Sequence, residues 1–246
     1  MKLLVCISKT PETTAKIAFT DDNTEFVTDG VQFIMNPYDE WYALVRALEL
    51  KESKGGTVTV LNVGLAANDI IIRKGLALGA DDAVRINTNP ESAYVTAAQI
   101  ANFAKEENYD MIFFGKETID YNGSEVGAMV AEMLNLPFAS YVSNLDYDGD
   151  KAIVSRDIEG GIEVSEISGS FVLSAAKGLA EQRIANMKGI MMSKRKPLKV
   201  VEPVEIANPV SVVSYSLPEG KSGVKMIDPE NMDELVKLLH EEAKVI

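Results

Sequence analysis

Histidine and cysteine are nearly missing from the 246 residues, with one of each, His240 and Cys6. A lone cysteine excludes a disulfide framework within the chain, and so few soft ligands exclude a Cys/His zinc site. A Ser-His-Asp triad would have to recruit His240, which sits in an amphipathic segment at the end of the chain and reads as a helix-surface residue. No apolar run approaches the roughly 18 residues of a membrane span. Met1–Ser8 is too short an apolar run for a secretory signal. Basic residues are also scarce, 24 Lys and Arg against 37 Asp and Glu, a formal charge of −13. A net field of that sign repels polyanions, which argues against nucleic acid and against an anionic membrane surface. Together these absences describe a reduced, soluble protein of cytoplasmic type.

Familiar nucleotide and catalytic motifs are missing too. There is no G-x-G-x-x-G, and a P-loop ending at Gly115-Lys116 would need glycine at position 110, which is Asp110. The acid pairs Asp21-Asp22, Asp81-Asp82 and Glu106-Glu107 fall at turns or element ends and read as solvated charges, not catalytic dyads. No catalytic residue and no metal ligand can be named.

What is present is an alternation of strand and helix signals over the first 143 residues. Lys2–Ser8 is a continuous apolar run of the kind buried in parallel sheets. Ile17–Thr28, centred on Asp21-Asp22-Asn23, reads as a hairpin excursion. In Asn36-Pro37-Tyr38-Asp39-Glu40 an Asn cap, a Pro at the first helical position and two acids at the positive helix end predict a helix start. Thr57–Val63 is a second strand. A helix from about Asn68 closes at Gly79, Ala83–Ile86 follows as a strand, and Asn89-Pro90-Glu91 repeats the helix-start chemistry. Met111–Phe114 is a fourth strand, and a polar loop, Gly115–Ser124, precedes a helix from Ser124 to Leu134. Such repetition predicts an α/β fold: a parallel twisted sheet with helices on both faces. Ligands of these sheets bind beyond the carboxyl ends of the strands, at a topological switch point.

After residue 143 the pattern changes. Ala152–Ile158 and Ile162–Ile167 flank Glu159-Gly160-Gly161 and predict a β-hairpin region, and Phe171–Ala176 is another apolar run. Residues 178–199 read as irregular, with Met187, Met191 and Met192 beside Lys188, Lys194, Arg195 and Lys196. Adaptable methionines next to basic residues suit a docking surface as well as core filling. From Val200 to Gly223 three prolines predict an extended arm, and a last helix from Asp228-Pro229-Glu230 places Met232, Leu235, Val236 and Leu239 on one face. The chain is thereby divided into 1–199, a nucleotide-binding α/β domain, and 200–246, a C-terminal arm and helix. The pattern leaves open whether that arm embraces a partner or folds back on its own domain.

One ligand chemistry can be placed from the residues alone. Asn122-Gly123-Ser124 precedes a helix and follows a strand, so its backbone N–H groups and the helix dipole can hold an anion, with Ser124 as cap and donor. Asp120 and Glu125 bring negative charge to the same place, and a capped surface helix explains the stretch equally well.

Four ordered segments resemble the β subunit of electron-transfer flavoprotein. They are Leu4–Glu12; Asn36–Glu40 with Arg73–Asp81; Gly115–Asp120 running to Ala131–Pro137; and Arg156–Glu163 followed by Arg183–Lys196. The resemblance implies an electron carrier, not an enzyme. The resemblance also implies one half of a heterodimer whose α subunit would hold most of an FAD, while the β subunit would bind an AMP structurally. Carried over residue by residue, the nucleotide pocket would use Cys6, Asn36, Pro37, Tyr38, Asp39, Val63, Thr118, Ile119, Asp120, Asn122, Gly123, Ser124, Glu125, Val126 and Gly127. Tyr38 and Asp157 would approach the flavin or its domain. A partner-recognition loop at about 178–199 would use Arg183, Met187, Ile190, Lys194 and Arg195 to engage flavoprotein dehydrogenases, with Met187 as apolar anchor. Electrons would pass on to a quinone-side oxidoreductase, with no insertion into the membrane. Glu125 and Ala128 stand where the family usually carries Gln and Pro, and Ala180–Ile184 replaces its usual Asn-Glu-Pro-Arg-Tyr. Two alternatives remain beside AMP: a bifurcating-type subunit with a second FAD in the same pocket, and an ATP-binding hydrolase or stress-protein-like domain.

Overall fold

The computed structural model describes residues 1–220 and 223–246. They form two units, 1–17 with 27–213 and 18–26 with 214–246. In the first, β1 (Lys2–Cys6) leads through a short antiparallel ribbon, β2 (Lys9–Pro11) with β3 (Phe33–Met35), into α1 (Asp39–Lys54) and β4 (Thr57–Val63). Next come α2 (Asp69–Leu78), β5 (Asp82–Ile86), α3 (Ala93–Ala104), β6 (Met111–Gly115), α4 (Val126–Leu134) and β7 (Phe138–Tyr147). The unit ends with β8 (Lys151–Ile158), β9 (Gly161–Ser168), β10 (Phe171–Ala175), α5 (Met187–Ser193) and β11 (Leu198–Val201).

Nine of these strands make one sheet in the order β11-β5-β4-β1-β6-β10-β7-β8-β9. All neighbours from β11 to β7 run parallel, and β8 and β9 are added antiparallel. The expected α/β sheet is therefore mixed at one edge. The expected hairpin is β8 with β9, paired antiparallel up to Ile158 and Gly161, and the ten-residue β7 carries β8 along the same edge of the sheet. Alternation along β1 explains the two layers of helix. Leu3 and Val5 join the cluster that receives Leu44 and Leu48 of α1 and Ile71, Ile72 and Leu76 of α2. Leu4 and Cys6 join the opposite cluster, with Ala97, Ile100 and Ala101 of α3 and Val130 and Ala131 of α4.

Several local expectations move. Asn36 does not cap the first helix; α1 starts at Asp39 behind Tyr38, with no side-chain cap, because the Asn36 amide is engaged elsewhere. In α3 the cap is Ser92, which accepts from the Val95 N–H at 3.2 Å, and Asn89 stays outside. Ser124 does not cap α4; Glu125 occupies that position and makes no side-chain cap bond. Residues 178–199 are irregular only in part, since they hold α5 and the first half of β11. Asn186 caps α5 by accepting from the Gly189 N–H at 2.8 Å. Arg73 of α2 donates to the Ser193 and Lys196 carbonyls, each at 2.7 Å, and ties down the end of the helix. Val200 and Val201, read as the start of the arm, complete β11. Further on, the Gln99 side chain clasps the Val204 peptide from both sides, at 2.7 and 3.1 Å.

In the second unit Phe19 and Phe26 form an isolated antiparallel bridge where the sequence predicts a hairpin. The Phe19 ring stacks on Tyr215, with centroids 4.9 Å apart. The last helix, α6 (Met232–Lys237), is capped by Asn231 and continues as a π turn over Leu238–Glu242.

Packing of α5 on α2 has no room at Gly189: a Cβ there would run into the Ala77 carbonyl oxygen. Gly189→Ala should push α5 off α2 and lower stability by roughly 1–3 kcal/mol, the usual cost of overpacking. A urea denaturation midpoint unchanged from wild type would show that α5 is not held by this contact.

Candidate functional site

Connections leave β1 in opposite directions along the sheet, first to β4 and β5 and later to β6 and β10, so the strand order reverses between β1 and β6. The crevice beyond the carboxyl ends of β1, β4 and β6 is thus the position where parallel sheets bind ligands. Three asparagines organise it. The Asn62 amide of β4 donates to the Ile7 carbonyl at 2.8 Å and accepts from Asn68 at 2.9 Å, joining the ends of β1 and β4 to the start of α2. Asn36 is fully buried. Its side chain donates to the Glu117 carbonyl and accepts from the Ile119 N–H, both at 3.0 Å. Its backbone N–H donates to the Ser8 carbonyl at 2.9 Å.

The start of α1 comes equally close. A Cβ at Gly115 would lie 2.8 Å from Glu40 Cγ and 2.9 Å from the Glu40 nitrogen, so only glycine lets β6 end against the helix. Glu40 is buried, and its carboxylate accepts from the Ser8 N–H at 2.6 Å. Burial raises this carboxyl from its ordinary 4.5 to about 8; the Ser8 hydrogen bond opposes the rise, and Asp120 and Asp39 add to it. Burial likewise lifts Asp39 to about 6, which Lys116 partly offsets and Glu117 reinforces. The Cys6 thiol is pushed well up, by burial first and by Glu40 second. A buried thiol held neutral is no nucleophile.

Between these anchors Tyr38 adopts φ 64° and ψ −98°, a strained conformation for a bulky residue, and leaves its side chain 59% exposed. In the loop after β6, Asn122 and Ser124 also have positive φ. The Asn122 N–H is used by the Thr118 carbonyl at 2.9 Å, and the Ser124 hydroxyl donates to Glu117 at 3.2 Å. Gly127 is buried: a Cβ there would sit 3.3 Å from Phe138 and 3.4 Å from Phe114, so this glycine serves close packing of α4 on the sheet. The first-turn N–H groups of α4 have no side-chain cap. The Glu125 carboxylate lies beside it, 3.1 Å from where a Cβ of Gly123 would be.

The structure therefore brings Cys6, Asn36–Asp39, Val63 and the 118–127 loop to one end of the sheet. It gives the Asn36 and Ser124 side chains protein partners there. The basic and methionine-rich residues lie apart from the crevice, on and around α5. Met187 is 74%, Met191 68% and Met192 50% exposed, and Ile190 is exposed as well. Lys194 and Arg195 are exposed beside them. Arg183 instead pairs bidentately with Glu52, at 2.6 and 3.0 Å, and its carbonyl accepts from the Trp41 indole. Sequence reasoning missed Glu40 as a buried acid, and the Asn62–Asn68 pair. Neither carries a local signal, since each is defined by what another segment places against it. Two open surface clefts, of about 430 and 340 Å³, lie elsewhere, the first between α1 and β7–β8 and the second beside α3 and β11. Among the described residues no helix is long and apolar enough to cross a membrane.

A doubly covered, mostly parallel α/β sheet with an uncapped helix end at its switch point is of the class that binds ligands beyond the carboxyl ends of its strands. Residues 24–206 match the family model described as electron transfer flavoprotein domain, and the chain belongs to the electron transfer flavoprotein family. Its relatives carry the name electron transfer flavoprotein subunit beta. The Bacillus subtilis protein is 34% identical over the whole of both chains. The human protein is 32% identical over all of this chain and 99% of its own. The mitochondrial protein of Arabidopsis thaliana is 33% identical over both full lengths. The chain is of the subunit beta type, and its role lies in electron transport.

The buried acid gives the site a pH signature. A carboxyl whose pKa is raised on folding is fully compatible with the fold while protonated in both states, and the unfolded chain gains on it as pH rises from 4.5 to about 8. Stability should fall over that window, and Glu40→Gln, which keeps an acceptor for Ser8, should remove much of the slope. At pH 8 the variant should be more stable by on the order of a few kcal/mol, with little difference at pH 4.5. Urea midpoints at the two pH values check this; parallel pH profiles would place the Glu40 carboxylate in contact with water.

Proposed function

We propose that this chain is one half of a heterodimer, whose α subunit holds most of an FAD, and that it binds AMP structurally in the crevice between β1 and β6. The single observation that carries the nucleotide reading is the convergence there of Cys6, Asn36–Asp39, Val63 and the 118–127 loop on an α4 start that no side chain caps. An adenine nucleotide fits this arrangement. The phosphate would take the first-turn N–H groups of α4 and displace the flexible Glu125 carboxylate, while the strand ends supply an apolar and amide-lined wall. The fixed partners of Asn36 and Ser124 make both residues wall and loop braces in this reading, with backbone groups as the principal ligands. AMP is favoured over a second FAD because Asn122–Ala128 does not reproduce the Thr-Ala-Gln-Val-Gly-Pro run of bifurcating members.

FAD, when bound, supplies the one- and two-electron chemistry; this chain's part is to pack against it and exclude water. Exposed Tyr38, held in a strained backbone, and Asp157 on β8 are the residues that would face the flavin or its domain. The division into 1–199 and 200–246 assigns the arm and the terminal helix to the α subunit. Flavoprotein dehydrogenases would dock on α5, and a quinone-side oxidoreductase would receive the electrons. No catalytic residue and no metal take part in this reading, and it places the protein in the cytoplasm.

Coexpression with its α subunit tests the proposal. The copurified pair should show one flavin by absorbance and release AMP on extraction, identified by mass spectrometry. Two flavins without AMP would make it a bifurcating-type pair, and ATP turnover without flavin would overturn the reading.

Met187 opens α5 with its side chain in solvent, and its removal costs no core contact. Met187→Ala should raise the apparent KM of the pair for its dehydrogenase roughly thirtyfold, as truncating an anchor of about 2 kcal/mol does. Its flavin spectrum and unfolding midpoint should stay put. Unchanged dehydrogenase kinetics would remove α5 from the docking surface.

A further inference from the structure

Asn36 stands between two functional places without having to touch either ligand. On one side its amide grips Glu117 and Ile119, two residues of the loop that runs from β6 to α4. That loop is closed further along by Asn122 N–H on the Thr118 carbonyl and by Ser124 Oγ on Glu117. On the other side, two residues along the chain, Tyr38 holds a backbone conformation that ordinary residues avoid. Such strain persists only where the flanks are over-determined. Here both flanks are. Asn36 N–H donates to the Ser8 carbonyl, and Glu40 accepts from the Ser8 N–H, so one peptide residue of the β1 end pins the segment before and after Tyr38. Gly115 closes the remaining side against the Glu40 nitrogen.

We propose that Asn36 is a positioning residue that couples the 117–124 loop to Tyr38, so that ordering the loop by a nucleotide also fixes the aromatic ring on the flavin side. The inference rests on the nucleotide reading above for what orders the loop, and it adds the route by which that order reaches Tyr38. A rigid two-point amide clamp carries a displacement of the loop into the 36–40 segment because each of its atoms is already committed. Were the loop to loosen, the Glu117 carbonyl and the Ile119 N–H would pull away from a buried amide that has no water to replace them, which is costly. Linkage makes the coupling reciprocal, so a Tyr38 released from its strained position also loosens the loop.

The test uses the copurified αβ complex stripped of nucleotide, with AMP as probe and two readouts, the AMP dissociation constant by calorimetry and the visible circular dichroism of the bound flavin. In wild type, AMP should bind and shift the flavin band. Asn36→Leu should weaken AMP about tenfold through the lost pre-organisation, and at saturating AMP the flavin band should no longer respond. Should that variant fail to assemble, Asn36→Ser answers the same question, since a shorter neutral side chain cannot span both the Glu117 carbonyl and the Ile119 N–H; it should retain AMP binding with a reduced band shift. Tyr38→Gly, which relieves the strain and removes the ring, should bind AMP more weakly than wild type and show no band shift. An Asn36 variant with the full wild-type shift at saturating AMP overturns the coupling while the nucleotide reading stands. Failure of the wild-type complex to bind AMP would overturn the nucleotide reading and the coupling with it.

Discussion

The Ser8 peptide, held at its carbonyl by the Asn36 N–H and at its N–H by the Glu40 carboxylate, is the constraint on which the crevice depends. It fixes the end of β1 against the start of α1, and Gly115 brings the end of β6 to the same point. Three separate chain segments therefore meet with almost no slack. The strained Tyr38, the late start of α1 and the course of the 117–124 loop follow from that meeting and not from local preference. Backbone and amide groups do most of the work because they are numerous, fixed and neutral, and a buried amide with all its partners costs little.

Electrostatics in the crevice run against simple anion attraction. Asp39, Glu40, Glu117, Asp120 and Glu125 surround a place where a phosphate would bind, with Lys116 paired to Glu117 at 3.2 Å. The protein offsets this by burying Glu40 where its carboxyl is pushed up to about 8, which leaves it largely protonated at neutral pH. Asp39 moves the same way to a smaller extent. On the proposed AMP reading, such a site would select by oriented N–H groups and shape, since its net field repels anions at long range.

The proposed docking face is made differently. α5 is only seven residues long, too short to hold by itself. It is fastened from beneath by Gly189 against the α2 backbone, by the two carbonyl contacts of Arg73, and by Lys196 donating to the Leu76 carbonyl at 3.0 Å. The outward side is thereby free to present Met187, Met191 and Met192 with Lys194 and Arg195. Adaptable apolar side chains on a fixed base suit a carrier that must meet more than one partner.

The sequence by itself determined the strands and the class of sheet. Continuous apolar runs such as Lys2–Cys6 and Met111–Phe114 can be buried only in a covered parallel sheet, and the periodicity of the intervening segments supplies the helices that cover it. It also singled out the strand ends and the loop before α4 as one candidate site, because each carries its own local signal. It erred at the caps. Asn36, Asn89 and Ser124 are all good cap residues, and a single chain cannot say which of its polar side chains another segment will claim. Only the tertiary structure decided that β10 inserts between β6 and β7, that residues 187–193 coil into a helix, and that Asn36 bridges to Glu117 and Ile119. Each of these depends on groups distant in the chain, 81 and 83 residues apart for the two Asn36 bonds and 120 for Arg73 on Ser193. Local pattern holds no trace of such contacts, because their energy exists only once the sheet has been assembled.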